Sequence, residues 1–144
     1  MMRAIELRDK IFLARHEEDG LLGFCGCGEP AKALTFLKEV LQAYAIEDFD
    51  RRWDAVRWIL DFDVEDGSAP GIAWTYLYWL SSIELIEHGS SLPGAWLTEE
   101  GENLLAALEH YGTDDAAIKQ LHEQARKDFQ EDLAAGKYDE KAKG

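Results

Sequence analysis

Two cysteines and four histidines carry the most versatile chemistry in this chain. Cys25 and Cys27 stand in a glycine-punctuated run, Leu21-Leu22-Gly23-Phe24-Cys25-Gly26-Cys27-Gly28, just ahead of a helix that Pro30 opens at its first-turn position. The positive end of a helix dipole favours thiolate, so this placement invites metal or redox chemistry. Zinc, however, takes four ligands, and its paired cysteines are normally separated by two or more residues. A site here would need two of His16, His88, His110 and His122 brought in by the fold, and His16 and His88, each beside a loop, are the better placed. The competing reading is a tight glycine turn with two packed thiols, and the one-residue spacing favours it. No cofactor is expected. Cysteines this close cannot close an ordinary bridge or form a disulfide framework, which points to a reducing cytoplasm.

Other groupings fail on detail. The run Asp61-Phe62-Asp63-Val64-Glu65-Asp66-Gly67 has the carboxylate density of a calcium loop, but Asp66 occupies the place of the loop's glycine and Ile72 that of its closing glutamate. It reads as a solvated acidic turn. Glu17-Glu18-Asp19 reads as a helix end. Ser90 and Ser91 lie near His88 with no acid to orient the imidazole. The chain contains no H-E-x-x-H, no phosphate-binding glycine loop and no G-x-S-x-G. An enzyme is not expected.

Charge is more informative. Residues 58–118 contain twelve carboxylates and no lysine or arginine, so this stretch supplies −12 of the formal net charge of −14. Such a field repels nucleic acid and anionic lipid and steers association toward basic surfaces. The competing reading is that it only keeps a small protein soluble. A hydrophobic content of 47%, with five Trp, five Tyr and six Phe, argues against intrinsic disorder despite the high charge. No apolar stretch approaches the roughly 20 residues needed to span a bilayer, and the first ten residues lack the apolar core of a secretory signal.

The elements that must position these groups follow from periodicity. Residues 3–18 read as a helix with Ala4, Ile5, Ile11, Phe12 and Ala14 near one face. A second helix, 30–44, turns Leu34, Leu37, Val40 and Leu41 inward. A third, 47–60, spaces Phe49, Trp53, Val56, Ile59 and Leu60 along one face, and 61–71 is an acidic loop. The fourth, 70–82, precedes a strand at 85–88, the turn Gly89-Ser90-Ser91-Leu92-Pro93-Gly94 and a return strand at 95–97. Thr98 caps a fifth helix ending near Tyr111, and Asp114 and Asp115 open a sixth that ends at Gly136. The fold class is mainly α (α+β), with one domain over 1–136 and a flexible tail over 137–144.

The run 76–108, Y-L-Y-W-L-S-S-I-E-L-I-E-H-G-S-S-L-P-G-A-W-L-T-E-E-G-E-N-L-L-A-A-L, resembles the second half of a winged-helix domain of the MarR or PadR type. The carriers are the strand Leu85-Ile86 and the re-entry Leu97-Thr98-Glu99-Glu100-Gly101-Glu102-Asn103-Leu104. The resemblance implies a winged-helix-like helix–β-hairpin–helix unit over 70–111, with 70–82 where a recognition helix sits. A duplex reader needs cations and amides there. This segment carries two Trp, two Tyr and no charge, and the hairpin turn also lacks Arg and Lys. Nucleic acid is therefore disfavoured; the aromatic helix is either buried or a face for a partner or a homodimer. The whole chain also resembles small acidic proteins of bacteriophage and prophage genomes, through Phe24-Cys25-Gly26-Cys27-Gly28-Glu29-Pro30 and Glu87-His88-Gly89 with Trp96-Leu97-Thr98. That resemblance implies an accessory role in a bacterial host cell.

The expectation is therefore a non-enzymatic, acidic protein-binding module, one version being an inhibitor that mimics nucleic acid on a basic host surface. Its partner-binding residues would be Asp61, Asp63, Glu65, Asp66, Glu84, Glu87, Glu99, Glu100 and Glu102, with Trp74, Tyr76, Tyr78 and Trp79 supplying aromatic anchors, Trp74 and Tyr78 foremost. The alternative is a winged-helix transcriptional regulator whose cations come from Arg51, Arg52, Arg57, Arg126 and Lys127.

Overall fold

In the computed structural model, which describes residues 2–15, 30–66, 72–89 and 91–138, the order is α1 (Ala4–Arg15), α2 (Pro30–Tyr44), α3 (Phe49–Asp66), α4 (Ile72–Ser82), β1 (Ile86–Glu87), β2 (Trp96–Leu97), α5 (Glu99–Tyr111) and α6 (Asp115–Ala134). The fold is mainly helical, with one small antiparallel hairpin in register Ile86 to Leu97 and Glu87 to Trp96. The expected bounds of α2 and the end of α5 are reproduced. Asp114 accepts the Ala117 N–H at 2.7 Å and so caps α6 rather than lying inside it.

Burial explains why these segments are helices. Leu34, Leu37, Val40 and Leu41 of α2 are all buried, as are Val56, Ile59 and Leu60 of α3 and Leu104, Leu105 and Leu108 of α5. Each set recurs at three- and four-residue intervals, so each helix turns one apolar stripe to a shared core. Ala4 and Leu7 of α1, one turn apart, join that core, with Ile5 partly buried against it.

Two local expectations need correction. Residues 61–66 continue α3 and do not form an acidic loop. Carboxylate density reads as solvation, but a helix can solvate one face while its backbone ladder runs on, and Asp61 is exposed on α3 beside Arg57. Phe49, expected inward, is 52% exposed. As the first residue of α3 it overhangs the core, stacking on Trp53 at 5.7 Å with the Arg52 guanidinium 5.5 Å from its ring. Trp96 lies opposite Glu87 on the solvent side of the hairpin, because alternation gives the inner side to Ile86 and Leu97.

Between α1 and α6 the fold uses charge. Arg3 reaches both oxygens of Asp132, at 3.2 and 3.3 Å, and Lys137 lies 3.4 Å from the same carboxylate. Hydrogen bonding from Arg3, followed by the charges of Arg3 and Lys137, outweighs partial burial and holds Asp132 below its ordinary value of 3.8. A carboxylate depressed in the folded state stabilises the fold above its unfolded pKa and loses that contribution as pH falls below it. Thermal melts are therefore expected to fall as the solution is acidified from about pH 4 downward, and the Asp132→Asn variant should show a shallower acid limb. Parallel acid limbs in the two proteins would remove this pair from the account.

Candidate functional site

The geometry at the hairpin begins with the way α4 stops. Its backbone turns at Glu84, the one non-glycine with positive φ among the described residues, at 65°. The Leu85 N–H then donates to the Leu80 carbonyl at 2.9 Å and the Glu84 N–H to Ser81 at 3.0 Å. These two bonds make a Schellman closure with glutamate where glycine is usual. Thr98 fastens the other strand against this turn. Its N–H donates to the Leu85 carbonyl at 3.2 Å, and its hydroxyl points to the carbonyls of Glu84 at 2.5 Å and Leu85 at 3.1 Å. The same hydroxyl oxygen accepts the Gly101 N–H at 3.0 Å, capping α5.

These constraints shape an open cleft of about 380 Å³ between the end of α4, β1 and the first turn of α5. Glu84, Glu87, Glu99 and Glu100 line it, with His88, Ser81, Thr98 and Ile86. Glu99 and Glu100 have a structural reason to be there, since carboxylates in a first turn favour the helix dipole. Glu84 and Glu87 have none. Glu84 in addition occupies a left-handed conformation that costs an L-residue about 1–2 kcal/mol. Glu84→Gly is therefore expected to raise stability by about 1 kcal/mol while removing a cleft carboxylate. A denaturation midpoint at or below that of the parent protein would show that Glu84 carries no such cost.

The aromatic flank adjoins the acids. The Tyr78 ring stands edge-on to His88 at 5.8 Å and 6.4 Å from Trp74, and Tyr78 is half exposed. α4 is thus divided: Tyr76, Leu77 and Leu80 enter the core, whereas Tyr78 faces outward and Trp74 is half-buried. The hairpin turn also faces the core. Leu92 and Ala95 are buried, and the Tyr44 hydroxyl, itself buried, donates to the Leu92 carbonyl at 3.1 Å.

Six expected partner-binding residues therefore come together: Trp74, Tyr78, Glu84, Glu87, Glu99 and Glu100. Glu102 is exposed on α5 outside the cleft lining, and Asp61 lies on α3, 3.9 Å from Arg57. The backbone of Asp63, Glu65 and Asp66 is helical, while their side chains lie outside the described residues, as do Cys25, Cys27 and His16. Among the described residues no three His, Cys, Asp or Glu side chains are grouped to hold a metal ion, so the cleft carboxylates form a rim rather than a coordination sphere. Of the cations named for duplex reading, Arg52 is tied to the carbonyls of Ile46 at 2.8 Å and Glu47 at 3.2 Å. Arg51, Arg57, Arg126 and Lys127 are exposed on α3 and α6.

One participant had no local signal. Lys10, at the middle of α1, places its ammonium 2.9 Å from Glu100 of the cleft. Ninety residues separate the two, and only the packing of α1 near α5 reveals the pair. No helix among the described residues is long and apolar enough to cross a membrane. Compared with protein-family models, curated proteins and solved structures, the chain gives no match.

Proposed function

We propose that this protein is a non-enzymatic binding module that engages a basic surface of another protein through the acidic cleft beside its hairpin. One observation carries the reading: four carboxylates line a cleft with no Lys or Arg in its lining, Lys10 meeting only Glu100 from outside it, and the half-exposed Tyr78 stands against His88 of the same lining. Charge complementarity of this kind raises the rate and the selectivity of association, and aromatic groups provide the anchoring area. The resemblance of the helix–hairpin–helix unit to winged helices fits a scaffold used to contact a partner rather than to read a duplex. A reading hairpin must project into a groove, whereas here Leu92 and Ala95 are buried. The resemblance to small phage proteins suits an accessory or inhibitory role in the cytoplasm of a bacterial host, with the carboxylates standing in for phosphates on a nucleic-acid-binding protein.

The test uses a fluorescein-labelled nona-arginine peptide as the basic probe, with anisotropy read at low and high ionic strength. Affinity is expected to fall with salt. The triple variant E84Q/E87Q/E99Q should bind at least about tenfold more weakly, while D54N/E123Q/E131Q, three exposed acids elsewhere with the same charge change, should bind nearly as the parent does. Equal losses in the two triples would mean diffuse attraction and sink the cleft as the site. Tight binding of a generic DNA duplex at low salt would instead restore the transcriptional-regulator reading.

A further inference from the structure

α6 has a face that the core does not use. Its inner side is set by Ile118, Leu121, Ala125 and Asp128. The neighbouring flank carries Lys119, His122, Arg126, Phe129 and Leu133, all exposed. Their alternating three- and four-residue spacing lines them along one side of the helix. Phe129 and Leu133 are 45% and 53% exposed, and Tyr138, 43% exposed, lies against Phe129 with ring centroids 5.4 Å apart. Gly136, at φ 79°, ends the helix and turns the chain so that Tyr138 reaches that ring. Singly scattered apolar side chains are ordinary on a surface, whereas three neighbouring large ones mark a contact face. The cations beside them are a second departure. Lys119 and Arg126 enter no ion pair among the described residues, in a chain with 29 Asp and Glu to 15 Lys and Arg. After Asp115 in the first turn, the stripe carries no acid.

A straight stripe at this spacing is what a second helix packs against. Another copy of α6 does not fit it. Parallel pairing sets Lys119 against Lys119 and Arg126 against Arg126, and antiparallel pairing about Arg126 again opposes two arginines. Overlap of the apolar ends alone covers on the order of 300 Å² per copy, against roughly 800 Å² in a standard interface. A nucleic-acid duplex fits no better, because two fixed cations neutralise few phosphates. A helix with carboxylates opposite Lys119, His122 and Arg126, and apolar groups opposite Phe129 and Leu133, answers every position. The alkyl stems of Lys119 and Arg126 lengthen its apolar contact. We infer that this flank of α6 docks an acidic amphipathic helix of another protein. The carboxylates of 58–118 lie on other elements save Asp114 and Asp115, and screening beyond about 8 Å leaves the contact charges to decide. The stripe shares no residue with the lining of the hairpin cleft, so the two faces have opposite charge preferences.

The experiment is an NMR titration of the full chain with two synthetic helices of about three heptads each. Both carry glutamates along one half of a face and leucines along the other, in opposite orders, since the two fit in opposite directions. One of them should shift the amides of Lys119, His122, Arg126, Phe129 and Leu133 and saturate. The same peptides with lysine for glutamate should leave those amides unmoved. Phe129→Ala should weaken binding at least about fivefold, and Arg126→Gln roughly threefold. Lys127→Gln, an equal charge change on α6 but off the stripe, should leave binding unchanged. Parental affinity in both stripe variants, equal shifts from the lysine peptides, shifts centred on other elements, or none with either peptide overturns the inference. Tighter binding of a generic DNA duplex at those amides would assign the face to nucleic acid and overturn it. Self-association in sedimentation that Phe129→Ala abolishes would put a second copy on the face and overturn it too.

Discussion

Gly101→Ala is expected to cost about 3 kcal/mol and to lower the melting temperature by roughly 10 °C. A Cβ built at Gly101 would lie 2.1 Å from the Leu85 carbonyl oxygen and 2.9 Å from Leu97 Cδ2. The leucine methyl can rotate away. The carbonyl cannot, because it receives both the Thr98 N–H and the Thr98 hydroxyl, and because its residue follows directly on the left-handed turn at Glu84. Relief would require the first turn of α5 to lift from the hairpin, breaking the cap at Gly101 N–H and moving Glu99 and Glu100 out of the cleft. Gly89→Ala is the matched control, since a Cβ there meets nothing within 4 Å. Should the two variants melt alike, close approach is not what Gly101 is for.

The same contact shows what the sequence could and could not disclose. The re-entry Leu97-Thr98-Glu99-Glu100-Gly101 with Leu104 was legible as a strand running into a capped helix, and each member has a physical task. Leu97 faces inward, Thr98 caps, Gly101 admits a carbonyl and Leu104 is fully buried. Local rules suffice there because every partner lies within about four residues or across one short turn. The same applies to α2, whose proline start and apolar stripe were both readable. The extension of α3 through Asp66 was not, because charge density predicts exposure and says little about whether an exposed backbone is helix or loop.

Longer-range pairings were out of reach for a different reason. That the hairpin turn would fold inward depends on Tyr44 meeting Leu92, 48 residues away, and neither residue advertises the other. Glu84 gives no sign of its left-handed backbone either, since glycine is the usual marker of that position. The cleft was half legible. Its carboxylates were named, but Lys10 was not, and four of the nine acids were singled out only by the fold. Patterns along the chain define faces. Which faces meet is decided by packing.

Asp128→Ala tests the largest of these hidden dependencies and is expected to cost about 2 kcal/mol, with most of the loss felt in α1. Asp128 is the one buried charged residue among those described, at 7% exposure. It accepts the Ile5 N–H at 3.2 Å and the Gln124 side-chain amide at 3.1 Å, with the Arg3 guanidinium 4.0 Å away. Ile5 lies in the first turn of α1, where N–H groups have no partner within the helix. Glu6 serves the Arg3 N–H at 3.0 Å, and Asp128, from α6, serves the Ile5 N–H. Alanine would leave that donor unsatisfied and Arg3 with Asp132 alone, whereas Asp128→Asn keeps an acceptor and should lose about half as much. Hydrogen exchange should therefore accelerate in α1 of the alanine variant while α2 and α5 stay protected. Unchanged exchange in α1 would remove Asp128 as its cap.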